Sequence, residues 1–125
     1  MAKVSGLTTT VTVAGAAISN DVTSVNIDTP YGEQDITGLD KSAVERLLLR
    51  ADLTGSMTGV FNTAGGASHA TLKTPGSKTL VIAYPGATLT ATVNTTNYAV
   101  SMGTDGSLTW TVNFNLNSGT AAAWT

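Results

Sequence analysis

The chain of 125 residues has no cysteine, three prolines and one histidine, and only 11% of it is charged. Without cysteine there are no disulfide staples, no thiol chemistry and no cysteine-ligated zinc, and the redox compartment stays open. A domain of this length buries about two-thirds of its unfolded surface and needs no such staple. Residues 1–125 therefore read as a single domain. No run approaches the roughly 18 apolar residues of a membrane span. The start Met1–Ser5 has no apolar leader core, so neither secretion nor membrane binding is expected. Six basic residues against eight acidic ones give a net charge of −2, which lacks the electrostatic footprint of a nucleic-acid binder.

The scarcity of charge is itself informative, since soluble domains average about 25% charged residues. The few charges are also unevenly placed. Seven of the eight acidic residues lie between Asp21 and Asp52, and from Thr79 to the end the one charge is Asp105. Such a surface lacks the repulsion that keeps monomers apart. It suits a neutral, hydroxyl-rich monomer, or a subunit whose outer faces are covered by copies of itself.

What the chain does have is 23 threonines, 11 valines and 13 glycines. β-branched residues pack well on a pleated surface and glycine punctuates turns, so the protein is expected to be mainly β. Two-residue alternation runs through Leu7–Ala14, Val22–Asp28, Leu53–Phe61, Leu80–Tyr84, Thr88–Asn94 and Leu108–Asn115. The last sets Leu108, Trp110, Val112 and Phe114 against Thr109, Thr111, Asn113 and Asn115, which is the pattern of a strand with one buried face. Pro85-Gly86 and Thr104-Asp105-Gly106 read as turns, the latter closing a hairpin between 98–102 and 108–114. The expected fold is a β-sandwich or partly closed barrel.

One segment reads as a flanking α-helix, about 40–51: Val44, Leu47, Leu48 and Ala51 recur on one helical face. Asp40 is placed as N-cap, Leu39 and Val44 as a hydrophobic staple, and Arg46 and Arg50 near the C-terminal end. On this reading Leu47→Asp unfolds the domain. An extended acidic connection at about 20–38, holding Asp21, Asp28, Glu33 and Asp35, is read as a projecting hairpin or a loop ordered by a partner. Trp124 ends the chain either against its own sheet or on a neighbour.

Catalytic constellations are thin. His69 follows Ser68, and adjacency in a strand would turn the two side chains to opposite faces; a hydrogen-bonded loop or strand-edge histidine is expected. The acidic residues lack EF-hand spacing, so no metal or cofactor is implied. Gly55 and Gly59 are interrupted by threonines, which excludes a membrane dimer motif and suggests that a backbone or aromatic ring lies close. Asn94-Thr95-Thr96 is a formal glycosylation sequon of little weight. No enzyme emerges.

The run Asp35-Ile36-Thr37-Gly38-Leu39-Asp40-Lys41-Ser42-Ala43-Val44-Glu45-Arg46-Leu47 leads into Leu53-Thr54-Gly55-Ser56-Met57-Thr58-Gly59-Val60-Phe61-Asn62. Together with the closing Asp105–Val112, it resembles the core of the tail tube (major tail) proteins of long-tailed bacteriophages, over roughly residues 20–125. The resemblance implies a β-sandwich flanked by one helix and a homo-hexameric ring that stacks into a tube. DNA would pass through its lumen without specific binding, and other tail proteins would meet the tube ends. The location implied is the virion tail, assembled in the bacterial host cytoplasm. Inter-subunit contact is expected at Asp21, Asp28, Tyr31, Glu33, Asp35 and Trp124. A phage capsid decoration protein and a carbohydrate-binding or adhesin-like β-sandwich are the alternatives; the latter would need an exposed aromatic platform, whereas Trp110 reads as core.

Overall fold

The computed structural model describes residues 5–65, 67–117 and 119–125. Part of the segment read for a leader, Met1–Val4, lies outside the described residues. The chain runs β1 (Thr10–Val13), β2 (Ala16–Ala17), a 3-10 turn (Ser19–Asp21), β3 (Val22–Asp28), β4 (Tyr31–Asp35), β5 (Arg46–Ala51) and β6 (Thr54–Val60). It continues through helix α1 (Ser68–Leu72), β7 (Gly76–Tyr84), β8 (Ala87–Met102), β9 (Leu108–Leu116) and β10 (Ala123–Trp124). Eight strands form one antiparallel sheet in the order β2-β1-β7-β8-β9-β6-β3, with β10 added to β8. The sheet curls into a half-barrel, the partly closed barrel expected of the alternating segments. Strands β4 and β5 pair only with each other, as a separate two-stranded arm.

The core lies in the curl. Val11, Val13, Leu53, Met57, Leu80, Ile82, Leu89, Ala91, Val93, Trp110, Val112 and Phe114 are buried there, capped by Leu72 of α1 and by Ile18. These are the alternate residues of the strands, as one-sided burial requires. Pro85-Gly86 joins β7 to β8, with Gly86 at φ +88°. Gly106, also at φ +88°, turns β8 into β9.

Two glycines of β6 control the curl. Gly59 pairs with Trp110 and Gly55 with Phe114, so each aromatic ring lies over bare backbone. A Cβ on Gly59 would stand 2.5 Å from Trp110 Cζ2 and collide with the Asp21 carbonyl. One on Gly55 would stand 2.7 Å from Phe114 Cζ and collide with the Asn26 carbonyl. The close approach expected of these glycines is thus made to both a ring and a neighbouring strand. The Trp110 indole N–H completes its fit by donating to the Val60 carbonyl at 2.9 Å.

Among the described residues there is one short α-helix, and it is not where the periodicity placed it. Residues 40–51 form the end loop of the arm and strand β5. Their apolar side chains have no sheet beneath them: Leu39, Val44, Leu47, Leu48 and Leu49 are all exposed. A lone helix of this length is marginal in water, and no buried face stabilises one. Pairing with β4 instead satisfies the backbone in register, Gln34 opposite Leu47 and Asp35 opposite Arg46. Asp40 is therefore no helix cap; the chain turns there through a Lys41 N–H bond to the Gly38 carbonyl, 3.1 Å. The acidic connection is likewise resolved into parts, since 22–28 is a strand of the body sheet and 31–35 belongs to the arm.

The true helix, α1, carries Ser68 and His69, correcting the expectation of a loop or strand edge. Asp21 holds it in place from across the chain. One carboxylate oxygen accepts from Asn62 Nδ2 at 3.0 Å and the other from the Ser68 backbone N–H at 3.1 Å. Helix N-termini leave such amides without partners, and a carboxylate there is favourable. His69 lies against Phe61, ring centroids 4.9 Å apart, with Nδ1 3.2 Å from the Tyr98 hydroxyl. Burial raises the pKa of Tyr98, which keeps that hydroxyl protonated.

Gly59→Ala is expected to destabilise the protein by about 1–3 kcal/mol, as overpacking does, because neither Trp110 nor the Asp21 carbonyl has room to retreat. Urea unfolding followed by Trp fluorescence checks this; a midpoint equal to wild type would refute the account of the curl.

Candidate assembly interface

The feature of the fold that calls for a partner is the arm. A two-stranded hairpin is marginally stable alone in water, and this one carries apolar residues on both faces. Arg46 and Leu48 of β5 share one face with Glu33 and Asp35 of β4. Leu47 and Leu49 share the other with Gln34 and Gly32; there a Cβ on Gly32 would lie 3.3 Å from Leu49 Cβ. Gly32, Leu49 and Arg50 line a shallow recess. Leu48 is 62% exposed and Leu39 fully so, with Tyr31, Ile36, Val44, Leu47 and Leu49 close behind. Large apolar side chains exposed together on one element in this way are the pattern of an interaction site.

The far end of the arm is tied by polar groups. Asp35 Oδ1 accepts from the Thr37 N–H at 2.9 Å and its hydroxyl at 2.6 Å. The same hydroxyl accepts from the Glu45 N–H at 2.8 Å. The hydroxyl and amide of Thr37 hold the Asp35 carboxyl below its ordinary value of 3.8. At the root, the Asp52 N–H donates to the Pro30 carbonyl at 2.8 Å.

The six residues expected at subunit contacts fall in different places. Glu33 and Asp35 stand on one face of the arm and Tyr31 at its root, opposite Ala51. Asp28 is exposed at the end of β3. Trp124 adds to the sheet opposite Leu89 and lies parallel to Tyr84 with centroids 6.2 Å apart, yet half of its surface stays open. The structure brings Tyr31 and Trp124 to one recess, which Thr29, Ala51 and Asp52 also line. Asp21 stands apart: it is 8% exposed and both its carboxylate oxygens serve Asn62 and Ser68 inside the subunit. The helical reading puts Leu47 and Leu48 on a buried stripe and Leu49 off it, as a contact residue or an exposed leucine; all three stand exposed on the arm. A run of three leucines beside charges, with no second apolar segment to receive it, was the available signal.

A second uncovered apolar patch lies at the tip of the β8–β9 hairpin. Met102 pairs with Leu108 and Val100 with Trp110, so all four share the core-side face. The core ends at Trp110, and Val100, Met102 and Leu108 run on beyond it, exposed. Asp105 closes this tip, accepting from the Ser107 N–H at 3.1 Å and hydroxyl at 2.8 Å, bonds that lower its pKa.

The outer face of the sheet has a different character. Ser24 and Asn26 of β3, Ser56 and Thr58 of β6, and Thr111 and Asn113 of β9 stand side by side in register. Thr96 of β8 continues the row opposite Asn113. None of these is charged. Among the described residues, no group of three or more His, Asp and Glu side chains gathers, and no helix is long and apolar enough to cross a membrane.

Neither a protein-family model nor a curated protein sequence matches the chain. Solved structures do share its fold. A chain in the virion of a native gene transfer agent (GTA) particle matches with a TM-score of 0.70 at 15% identity, over 84% of this chain and 85% of that one. A chain in the tail of an empty GTA particle, of C6 symmetry, matches with a TM-score of 0.69 at 16% identity, over 84% and 82%. A third, in the six-fold symmetrised baseplate of the anti-feeding prophage, matches at 0.57 and 10%, over 94% and 90%. The curled sheet is therefore a fold found in phage-like tail assemblies, in agreement with the resemblance to tail tube proteins.

Two outcomes follow from the arm. Leu47→Asp leaves a folded protein, within about 0.5 kcal/mol of wild type as for other exposed positions, the reverse of what a buried helix requires; thermal melting checks it, and an unfolded product would refute the exposed arm. Acidification acts on the arm's far end. The folded pKa of Asp35 lies below its unfolded value, so its bonds to Thr37 stabilise the arm above about pH 4 and are lost as the pH falls through the folded pKa. The amide shifts of Thr37 and Glu45 in NMR should move together below about pH 4, and invariance there would contradict the Asp35 anchor.

Proposed function

We propose that the protein is a structural, non-enzymatic subunit of a phage-like tail that assembles with its own copies into hexameric rings, stacked as a tube through which DNA passes. The observation that carries the reading is the arm: seven large apolar side chains, from Tyr31 to Leu49, stand exposed on a hairpin that no strand of the body supports. A partner completes such an element, and the fold shared with chains of a C6-symmetric GTA tail and a six-fold baseplate supports sister copies as that partner. The free edges of β2 and β3 favour the same conclusion, because ring closure removes edges that a monomer must otherwise protect.

On this reading Asp28, Tyr31, Glu33, Asp35 and Trp124 lie at or near subunit contacts, while Asp21 works within the subunit. Residues 1–125 act as one tail-tube-like β domain with the arm as its extension. The uncharged outer face from Ser24 across to Thr96 lines the lumen. Lysine and arginine neutralise DNA phosphates and hold them; a wall of hydroxyls and amides lets the duplex slide. The subunit binds no membrane, needs no cofactor or metal, meets other tail proteins at the tube ends, and resides in the virion tail after assembly in the bacterial host cytoplasm.

Electron microscopy and sedimentation of the purified chain test the proposal. Six-fold rings or hollow tubes are expected at high concentration. A protein that stays monomeric there refutes it, and one that coats preformed shells without forming tubes is a capsid decoration protein.

A further inference from the structure

The arm and the tip patch lie at opposite ends of the sheet. The arm leaves the body where Asp28 pairs with Thr54 and Thr54 with Asn115. The tip, Met102 to Leu108, lies beyond the other end, where Val60 pairs with Thr109. The length of β9 separates the two ends by about 27 Å, at ~3.4 Å per residue. Both surfaces are uncovered in the subunit, so neither serves the other within one chain.

Their chemistry is complementary. The tip presents Val100, Met102 and Leu108 beside Asp105, the one charge in residues 79–125. The arm presents leucines beside Lys41, Arg46 and Arg50, and among the described residues these cations have no ion-pair partner. Met102, 71% exposed, is a long unbranched side chain that adapts to irregular gaps. Gly32, Leu49 and Arg50 bound a recess, and a side chain at Gly32 would crowd Leu49, its Cβ 3.3 Å from Leu49 Cβ.

We propose that the arm of one copy docks on the β8–β9 tip of the next, with Met102 seated over Gly32 beside Leu49 and Asp105 facing Arg50. This rests on the self-assembly proposed above and specifies which two surfaces carry it. The contact is heterologous, joining one end of a subunit to the other end of its neighbour, so each docking leaves a free arm and a free tip. A heterologous contact that does not close on itself propagates, and this one propagates along the strand direction of the body. The apolar seat supplies the attraction, while the Asp105–Arg50 pair fixes orientation and disfavours tip-to-tip or arm-to-arm encounters.

Because the chain has no cysteine, introduced thiols report the contact directly. A Leu49→Cys/Met102→Cys chain, oxidised at assembling concentrations, should yield a ladder of covalent oligomers, whereas either single variant should yield no species beyond dimers. Arg50→Glu should raise the concentration needed for assembly at least about tenfold by setting two carboxylates face to face, and adding Asp105→Lys to the same chain should restore it. Circular dichroism verifies that each variant is folded. Wild-type rings or tubes combined with no ladder and no effect of Arg50→Glu would overturn this docking and leave the proposed function standing. A wild-type chain that never associates would sink both.

Discussion

The fold depends on the absence of side chains at Gly55 and Gly59. Antiparallel sheets twist, but a sheet of this width curls far enough to enclose a core only where something lets one strand sink toward its neighbours. At these two positions the rings of Phe114 and Trp110 lie on the β6 backbone, and the carbonyls of Asn26 in β3 and of Asp21 just before it close in from the other edge. The two largest core residues of β9 are thereby placed at the bend. The curl in turn brings the turn before β3 over α1, where Asp21 caps the helix through Ser68 and fixes Asn62. One pair of glycines thus connects the sheet's curvature, the core and the only helix among the described residues.

The body and the arm are built on opposite principles. In the body each strand has an inner apolar face and an outer face of hydroxyls and amides, and the sheet satisfies its own backbone. In the arm neither face is inner. Its backbone is paired, its far end is tied through Asp35, Thr37 and Glu45, and its leucines point to both sides. Local hydrogen bonding therefore gives the arm its shape within the subunit, and in the proposed docking that shape limits the conformational freedom lost. The division of charge follows the same line: most of the ionisable residues sit on or beside the arm, and the body is left almost neutral.

This division explains what the sequence disclosed. Strands β3, β6, β7 and β9 were legible because their alternation answers to burial within one chain; β3 was placed to the residue and Trp110 as core. The Pro85-Gly86 and Asp105-Gly106 turns were legible because their backbone geometry is local. The segment from Asp40 to Ala51 was misread because Val44, Leu47, Leu48 and Ala51 satisfy a helical stripe, while Leu47-Leu48-Leu49 fit a strand exposed on both faces equally well. Periodicity measures burial against a body, and β5 has no body to be buried against. The bonds of Asp21 inside the subunit were not legible for the converse reason, since nothing local to it announces a helix terminus 47 residues away. The short α1 lacks the length to show any stripe at all.

Under the proposed function the subunit must both remain soluble and polymerise, and these conflict because the surface that drives assembly also drives aggregation. The arrangement of this chain separates the two. Most of its exposed large apolar side chains lie in two regions at opposite ends of the sheet, the arm and the β8–β9 tip, each accompanied by charge. At the arm, Glu33, Asp35, Arg46 and Arg50 alternate with the leucines, so a random apolar surface approaching it must desolvate charges of both signs without pairing them. At the tip, Asp105 is held ionised by Ser107 and repels a second tip. The neutral face between them is wettable through its hydroxyls and offers neither apolar area nor phosphate-binding cations. Specificity here comes from placing the few charges where wrong encounters would bury them, and a body with almost none is the consequence.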